Sequence, residues 1–213
     1  MSTTIHVYPT TDYLPLVEET RLRTQELFQW FLHKQNIGGT LEVQAFYQGK
    51  RRCRVESSVR WQVGMDLGFA YLIDGEWRGG SWPELWERDR IDQWWVDDYE
   101  KSDGKFGFPS SMLGQIVPLD NDDFAGNLSE EELRVVNSFD YFWDEYRNAG
   151  APAVTSVGYG FAAAALAEET NGRLVSFDGA FDDIGHNGEF ADQFLSWWGD
   201  AQMKFYGVDA FRW

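Results

Sequence analysis

Cysteine is almost missing from this chain. Cys53 stands alone, which excludes an intramolecular disulfide and a thiolate zinc site built within one chain, and makes a reducing compartment the expected one. Positive charge is scarce as well. Eighteen Lys and Arg face 35 Asp and Glu, for a formal charge of -17 and a pI near 4.4. Such a field repels phosphate backbones and anionic membranes, so neither nucleic acid nor a membrane is an expected partner, whereas a basic protein would be steered inward. No run of about 18 apolar residues occurs, and the opening Met1 to Val7 lacks the basic start and apolar stretch of a signal peptide. The expected address is the cytoplasm.

Reactive motifs are equally sparse. The chain has no G-x-S-x-G and no Walker loop, and His6, His33 and His186 are too scattered to form a recognisable metal or acid-base set. Cys53 lies between Arg52 and Arg54, but strand alternation would point it away from both, so a buried small residue is expected there. No catalytic residue, cofactor or metal site is assigned, and the chain is not expected to be an enzyme.

What the sequence does have is aromatic mass, 17% of residues with 11 Trp, enough for one core. In 213 residues a single domain, 1–213, is the default. The pattern predicts a strand at Ile5–Tyr8, a helix from Pro15 to about Gln35, and β runs at Leu41–Tyr47 and Arg52–Trp61. A further run, Gly68–Ile73, ends on the turn signal Asp74-Gly75 and continues through Glu76-Trp77-Arg78. After Gly79-Gly80-Ser81 the spacing turns helical, over Pro83–Lys101 and over 129–148. The second of these opens on a capping box at Ser129-Glu130-Glu131-Glu132. An Ala-rich helix over Val157–Thr170, a strand over Arg173–Phe177 and an amphipathic helix marked by Phe190, Phe194, Trp197 and Trp198 complete the reading. The fold class is α+β: an antiparallel sheet from the N-terminal half, packed by amphipathic helices mostly from the C-terminal half.

Two stretches imitate ligand motifs. Val154 to Ala163 reads as a strand leading into Gly158-x-Gly160-x-x-Ala163 and a helix, with Asp178 twenty residues after Gly158, the spacing of a dinucleotide fold. Its late position and the hairpins upstream favour glycines that let a helix pack closely. Asn121 to Glu132 can be laid on a calcium loop, but Asn121 leads it, Ala125 occupies a ligand position, and Glu132 belongs to the capping box.

Charge is more informative. Glu84–Asp103 holds eight acidic and three basic residues, Asp120–Glu145 nine and one, and Asp178–Asp192 five and none. Aromatics interleave the first two, as in Trp94-Trp95 and Tyr141-Phe142-Trp143. Carboxylates around exposed rings suit Arg and Lys on a partner. The expected partner-binding residues are Trp94, Asp97, Asp98, Glu100, Asp120, Asp122, Asp123, Asp140, Asp144 and Glu145.

Three segments resemble bacterial immunity proteins of interbacterial polymorphic toxin systems. They are Gly158-Tyr159-Gly160-Phe161 with its Ala run, Ser176-Phe177-Asp178-Gly179-Ala180-Phe181-Asp182, and Phe190-Ala191-Asp192-Gln193-Phe194-Leu195-Ser196-Trp197-Trp198; Ile5 to Thr10 is similar too. The likeness covers about a quarter of the chain, leaves Leu41–Leu128 unplaced, and has Phe181 where Trp is expected. It implies one-to-one capture of a cognate toxin's catalytic domain, with no chemistry of its own, and the acidity of the chain makes a basic domain the expected partner. A nucleotide-binding protein using the Gly158-x-Gly160 turn and an oligomeric, phage-type component are the alternatives; the oligomeric state is open.

Overall fold

The computed structural model describes residues 2–48, 53–88 and 119–211. Among them a seven-stranded sheet runs in the order β3-β2-β4-β5-β6-β1-β7, and every neighbouring pair is antiparallel. The strands are β1 (Thr3–Tyr8), β2 (Leu41–Tyr47), β3 (Cys53–Arg54), β4 (Leu67–Ile73), β5 (Glu76–Glu87), β6 (Tyr141–Arg147) and β7 (Arg173–Val175). The helices are α1 (Val17–Lys34), α2 (Glu130–Val136), α3 (Ala153–Thr170) and α4 (Ala191–Tyr206). The class is α+β, as the sequence implies, although β6 and β7 bring the C-terminal half into the sheet.

One face of the sheet meets α1, α3 and α4. Ile5, Val7, Val43, Phe69, Tyr71, Leu85 and Trp143 point into this core. Helix α3 lies at its centre and is buried on all sides from Ala153 to Ala167. A helix apolar all round has no 3.6-residue stripe, and for that reason its first turn, Val154–Val157, reads as a strand in the sequence. No turn separates a strand from a helix at Gly158. The dinucleotide-like spacing is thus not laid out as strand, turn and helix, and Gly158 and Gly160 sit inside α3 and serve packing, the reading the sequence favours. A Cβ on Gly158 would come within 2.6 Å of the Tyr71 ring, and one on Gly160 within 2.1 Å of Trp198 Nε1. Trp198 Nε1 in turn donates to Val157 O, at 3.1 Å.

Three further expectations fail. Pro83–Lys101 is not a helix over its first five residues, which belong to β5; 89–101 lies outside the described residues. Gly79-Gly80 is likewise no boundary. Thr155 Oγ1 of α3 accepts from Gly80 N at 2.9 Å, and a Cβ at Gly79 would strike that same oxygen, so the glycines let a helix approach a strand. Pro83 falls just past Ser81, the last residue paired with β4, where its missing N–H removes no bond from that ladder. The 129–148 helix also divides. It stops at Val136, where Asn137 turns its side chain to Leu119 N and O, and Tyr141–Arg147 becomes a central strand. β6 is covered on both faces, so its aromatics do not alternate and imitate a helical stripe.

Smaller points agree or differ plainly. Asp74 and Gly75 both have positive φ, 51° and 81°, the two-residue hairpin turn expected from Asp-Gly. The second β run, Arg52–Trp61, shrinks to the two-residue edge strand β3. Cys53 is exposed on that edge and not buried.

Gly160→Ala discriminates between packing and propensity. Propensity alone favours Ala in a helix by about 1 kcal/mol, whereas a Cβ against Trp198 should destabilise by about 1–3 kcal/mol. Thermal unfolding of this variant is expected to show a lower Tm; a raised Tm would contradict the packing assignment.

Candidate functional site

The opposite face of the sheet carries a smaller core under a cap formed by 119–136. Leu119, Phe124, Leu128 and Val136 of the cap cover Tyr8, Phe142 and Val175. The cap is folded by its own side chains. Asn121 brackets Leu128, with Nδ2 donating to Leu128 O and Oδ1 accepting from Leu128 N. Asp120 Oδ1 accepts from the N–H groups of Asp122 and Asp123, and Asp123 Oδ2 from that of Asp120. Ser129 and Glu132 form the expected capping box of α2, and Glu132 also pairs with Arg173 of β7. Arg173 is 4% exposed; it donates to Gly188 O as well and stacks 3.3 Å from the Phe190 ring. The pair ties α2 to the edge strand. These contacts engage the carboxylates of Asp123 and Glu132 in the calcium-like stretch. Among the described residues no group of three or more His, Cys, Asp or Glu is arranged to hold a metal ion.

The cap is also joined to the 182–189 loop. Asn127 Nδ2 donates to Gly185 O at 2.9 Å and to Asn187 O at 2.7 Å. The buried Asn187 reaches back, donating to Asp123 O at 3.0 Å and accepting from Ser176 N. Two acid-rich segments about 60 residues apart thereby form one surface. Asp120, Asp122, Glu130, Glu131, Asp140, Asp182, Asp183 and Asp192 are exposed on these segments. Arg134 is the one basic residue in 119–140 and is already paired with Glu131, while 178–192 has none. Ile184, 68% exposed, is an apolar point among the acids. Beside it His186 Nδ1 lies 2.7 Å from Glu189 Oε1 and stacks on Trp197 at 4.0 Å, the local interaction a loop histidine suggests.

Under the cap, several polar groups lack partners. Both ring nitrogens of His6, the Tyr8 hydroxyl, Trp86 Nε1 and Asp144 Oδ1 are sealed from solvent without a hydrogen bond. His6 packs among Tyr8, Phe142 and Phe177, and burial lowers its pKa to about 3, which keeps it neutral. Asp144 is placed in register between His6 and Glu84. Its pKa rises to about 8, first through burial and then through the charges of Glu84 and Asp178. Two carboxylates facing each other across a ladder cannot comfortably both ionise.

The expected site residues thus separate. Asp120, Asp122 and Asp140 are exposed on the clasped surface, with Asp123 half-buried beside them and its pKa raised by burial. Asp144 and Glu145 are corrected. Asp144 belongs to the covered face. Glu145 is fully buried on the helix side with neither oxygen bonded, and burial holds its carboxyl well above the usual range. Phe142 and Trp143 are core, so no exposed ring cluster exists along Tyr141–Tyr146. Trp94, Asp97, Asp98 and Glu100 lie outside the described residues. Sequence reasoning missed Glu130, Glu131, Asp182 and Asp183 as surface partners of Asp120 and Asp122. Asp178 accepts from Thr4 N and Ser176 Oγ, which makes it a turn fastener. Among the described residues no helix is long and apolar enough to cross a membrane. No protein-family model, curated protein or solved structure matches the chain.

Asp144 sets a pH signature. An unfolded chain releases this proton near pH 4 and the folded one near 8, so its stability is complete below the lower value and falls as pH rises toward the upper. The slope is about 1.4 kcal/mol per pH unit. Asp144→Asn should raise the urea midpoint at pH 8 and leave it nearly unchanged at pH 4, as read from parallel denaturation curves.

Proposed function

We propose that this chain is a capture domain for a basic protein, of the kind that neutralises the catalytic domain of a bacterial toxin, and that it has no chemistry of its own. The supporting observation is the clasp: Asn127 and Asn187 merge two acidic segments into one surface whose single arginine is already neutralised. Hydrogen bonds to buried main chain fix the segments, so the charges are held in place before any partner arrives, and less ordering entropy is lost on binding. The net charge of -17 adds a long-range field that accelerates encounter with a positive surface. Ile184 and the His186–Trp197 stack supply an apolar centre among the acids. The resemblance of the 158–198 region to immunity proteins is consistent with this role and names the partner class, a toxin domain in the same cytoplasm.

The test is kinetic. A protein captured from the producing strain, identified and purified, should bind the full chain one to one and carry net positive charge. Replacing the exposed Asp122, Glu130 and Asp192 together by Lys should slow its association roughly tenfold or more at low salt, and the difference should shrink as ionic strength approaches about 1 M. An association rate indifferent to both changes would remove this surface from the function.

A further inference from the structure

A second concave site differs in character from the acidic surface. A cavity of about 320 Å³ opens where the end of β6 meets the 178–182 loop and the last turn of α4. Among the described residues lining it, Arg147 is the only cation. Over 135–206 the other Lys and Arg are Arg173, which is committed to Glu132, and the exposed Lys204, which is not among the lining residues. Among the described residues no carboxylate lies within ion-pair distance of Arg147, and its Nε is sealed from solvent without a hydrogen bond. The guanidinium rests 5.5 Å from the Tyr159 ring, and Tyr159 is itself held by a 3.0 Å bond to Thr3 Oγ1. An arginine with no carboxylate partner, held beside a ring in a protein with a large excess of acids, is free to receive an anion.

The walls specify what the anion is attached to. Phe205 is 76% exposed, more than any other large apolar side chain among the described residues, and it lines the cavity beside Tyr206, whose ring meets it edge-on at 4.9 Å. Tyr206 is fixed by a 2.9 Å bond to Ser156. Gly150 and Gly179 border the opposite side with φ of 70° and 82°, and a Cβ at either would meet nothing within 4 Å, so the entrance is clear. Asp182 is exposed on the lining. A carboxylate there and the overall negative field count against a doubly charged phosphate, while a monocarboxylate matches the planar fork of arginine with one charge.

We propose that this cavity binds a small aromatic monocarboxylate, its carboxylate on Arg147 and its ring against Phe205. The site is separate from the protein-capture reading and stands or falls without it. Benzoate is the probe, titrated into the full chain and followed by backbone amide shifts of Gly150, Ala151 and Gly179. Saturable shifts are expected with benzoate and not with the neutral isostere benzamide or with inorganic phosphate. Arg147→Gln should weaken benzoate at least roughly tenfold. Phe205→Ala, at an exposed position, should weaken it with the fold intact, and Asp182→Asn should strengthen it at low salt. Should Arg147→Gln fail to fold, the Phe205 and Asp182 variants decide alone. The proposal is overturned if benzoate and benzamide shift the same amides equally, if phosphate binds better than benzoate, or if neither of those two variants changes benzoate affinity.

Discussion

The whole arrangement depends on one close-packed contact: helix α3 lies directly on the sheet and between two other helices, with no side-chain padding at its crossing points. Gly158 meets Tyr71 and Phe28, Gly160 meets Trp198, and Gly79 of β5 meets Thr155. Small residues at these points draw the layers together, and large rings fill the volume around them, as in the stacked pair Phe28–Phe161 at 5.3 Å. Native interiors tolerate little change of volume. This layer positions β5 and β6 in the middle of the sheet, the 178–182 loop after β7, and α4 with its exposed Phe205.

The second face of the sheet is under a different constraint. Its strands bury His6 and Tyr8 and seal Trp86 Nε1 and Asp144 Oδ1 from solvent, and these atoms are left without hydrogen bonds. Such groups cost stability, and here the cost is met by apolar burial of Phe124, Leu128 and Val136 under the cap. The outer surface of the same cap is acidic. One short segment therefore seals a polar interior with its apolar side and presents Asp120, Asp122, Glu130 and Glu131 with its other side. The clasp with the 182–189 loop couples these tasks, because Asn187 bonds both to the buried Ser176 backbone and to the Asp123 carbonyl.

Local chemistry was legible in the sequence wherever a few neighbouring residues decide the outcome. The Asp74-Gly75 turn, the Ser129–Glu132 capping box and the α1 stripe through Leu27, Phe28 and Phe31 all need only near neighbours. Reading failed where burial on two sides erases periodicity, in α3 before Val157 and in β6, and where Gly79-Gly80 and Pro83 look like breakers but answer to Thr155 and to the end of the β4 pairing. For the site, the acidity of 120–140 and of 178–192 was visible, but their union was not. Asn127 and Asn187 act through side chain to main chain bonds about 60 residues apart, for which no local spacing exists. Glu145 misled for the opposite reason, as a charged residue that the fold buries.

The central claim is that the clasped acidic surface receives the partner. Hydrogen exchange of the chain, free and in complex with the basic protein proposed as its partner, tests this most directly. Slowed exchange should appear together in 119–132 and 182–189, with α3 unchanged. Protection confined to the β3 edge or to other surfaces, with both clasped segments exchanging as in the free protein, would contradict the account.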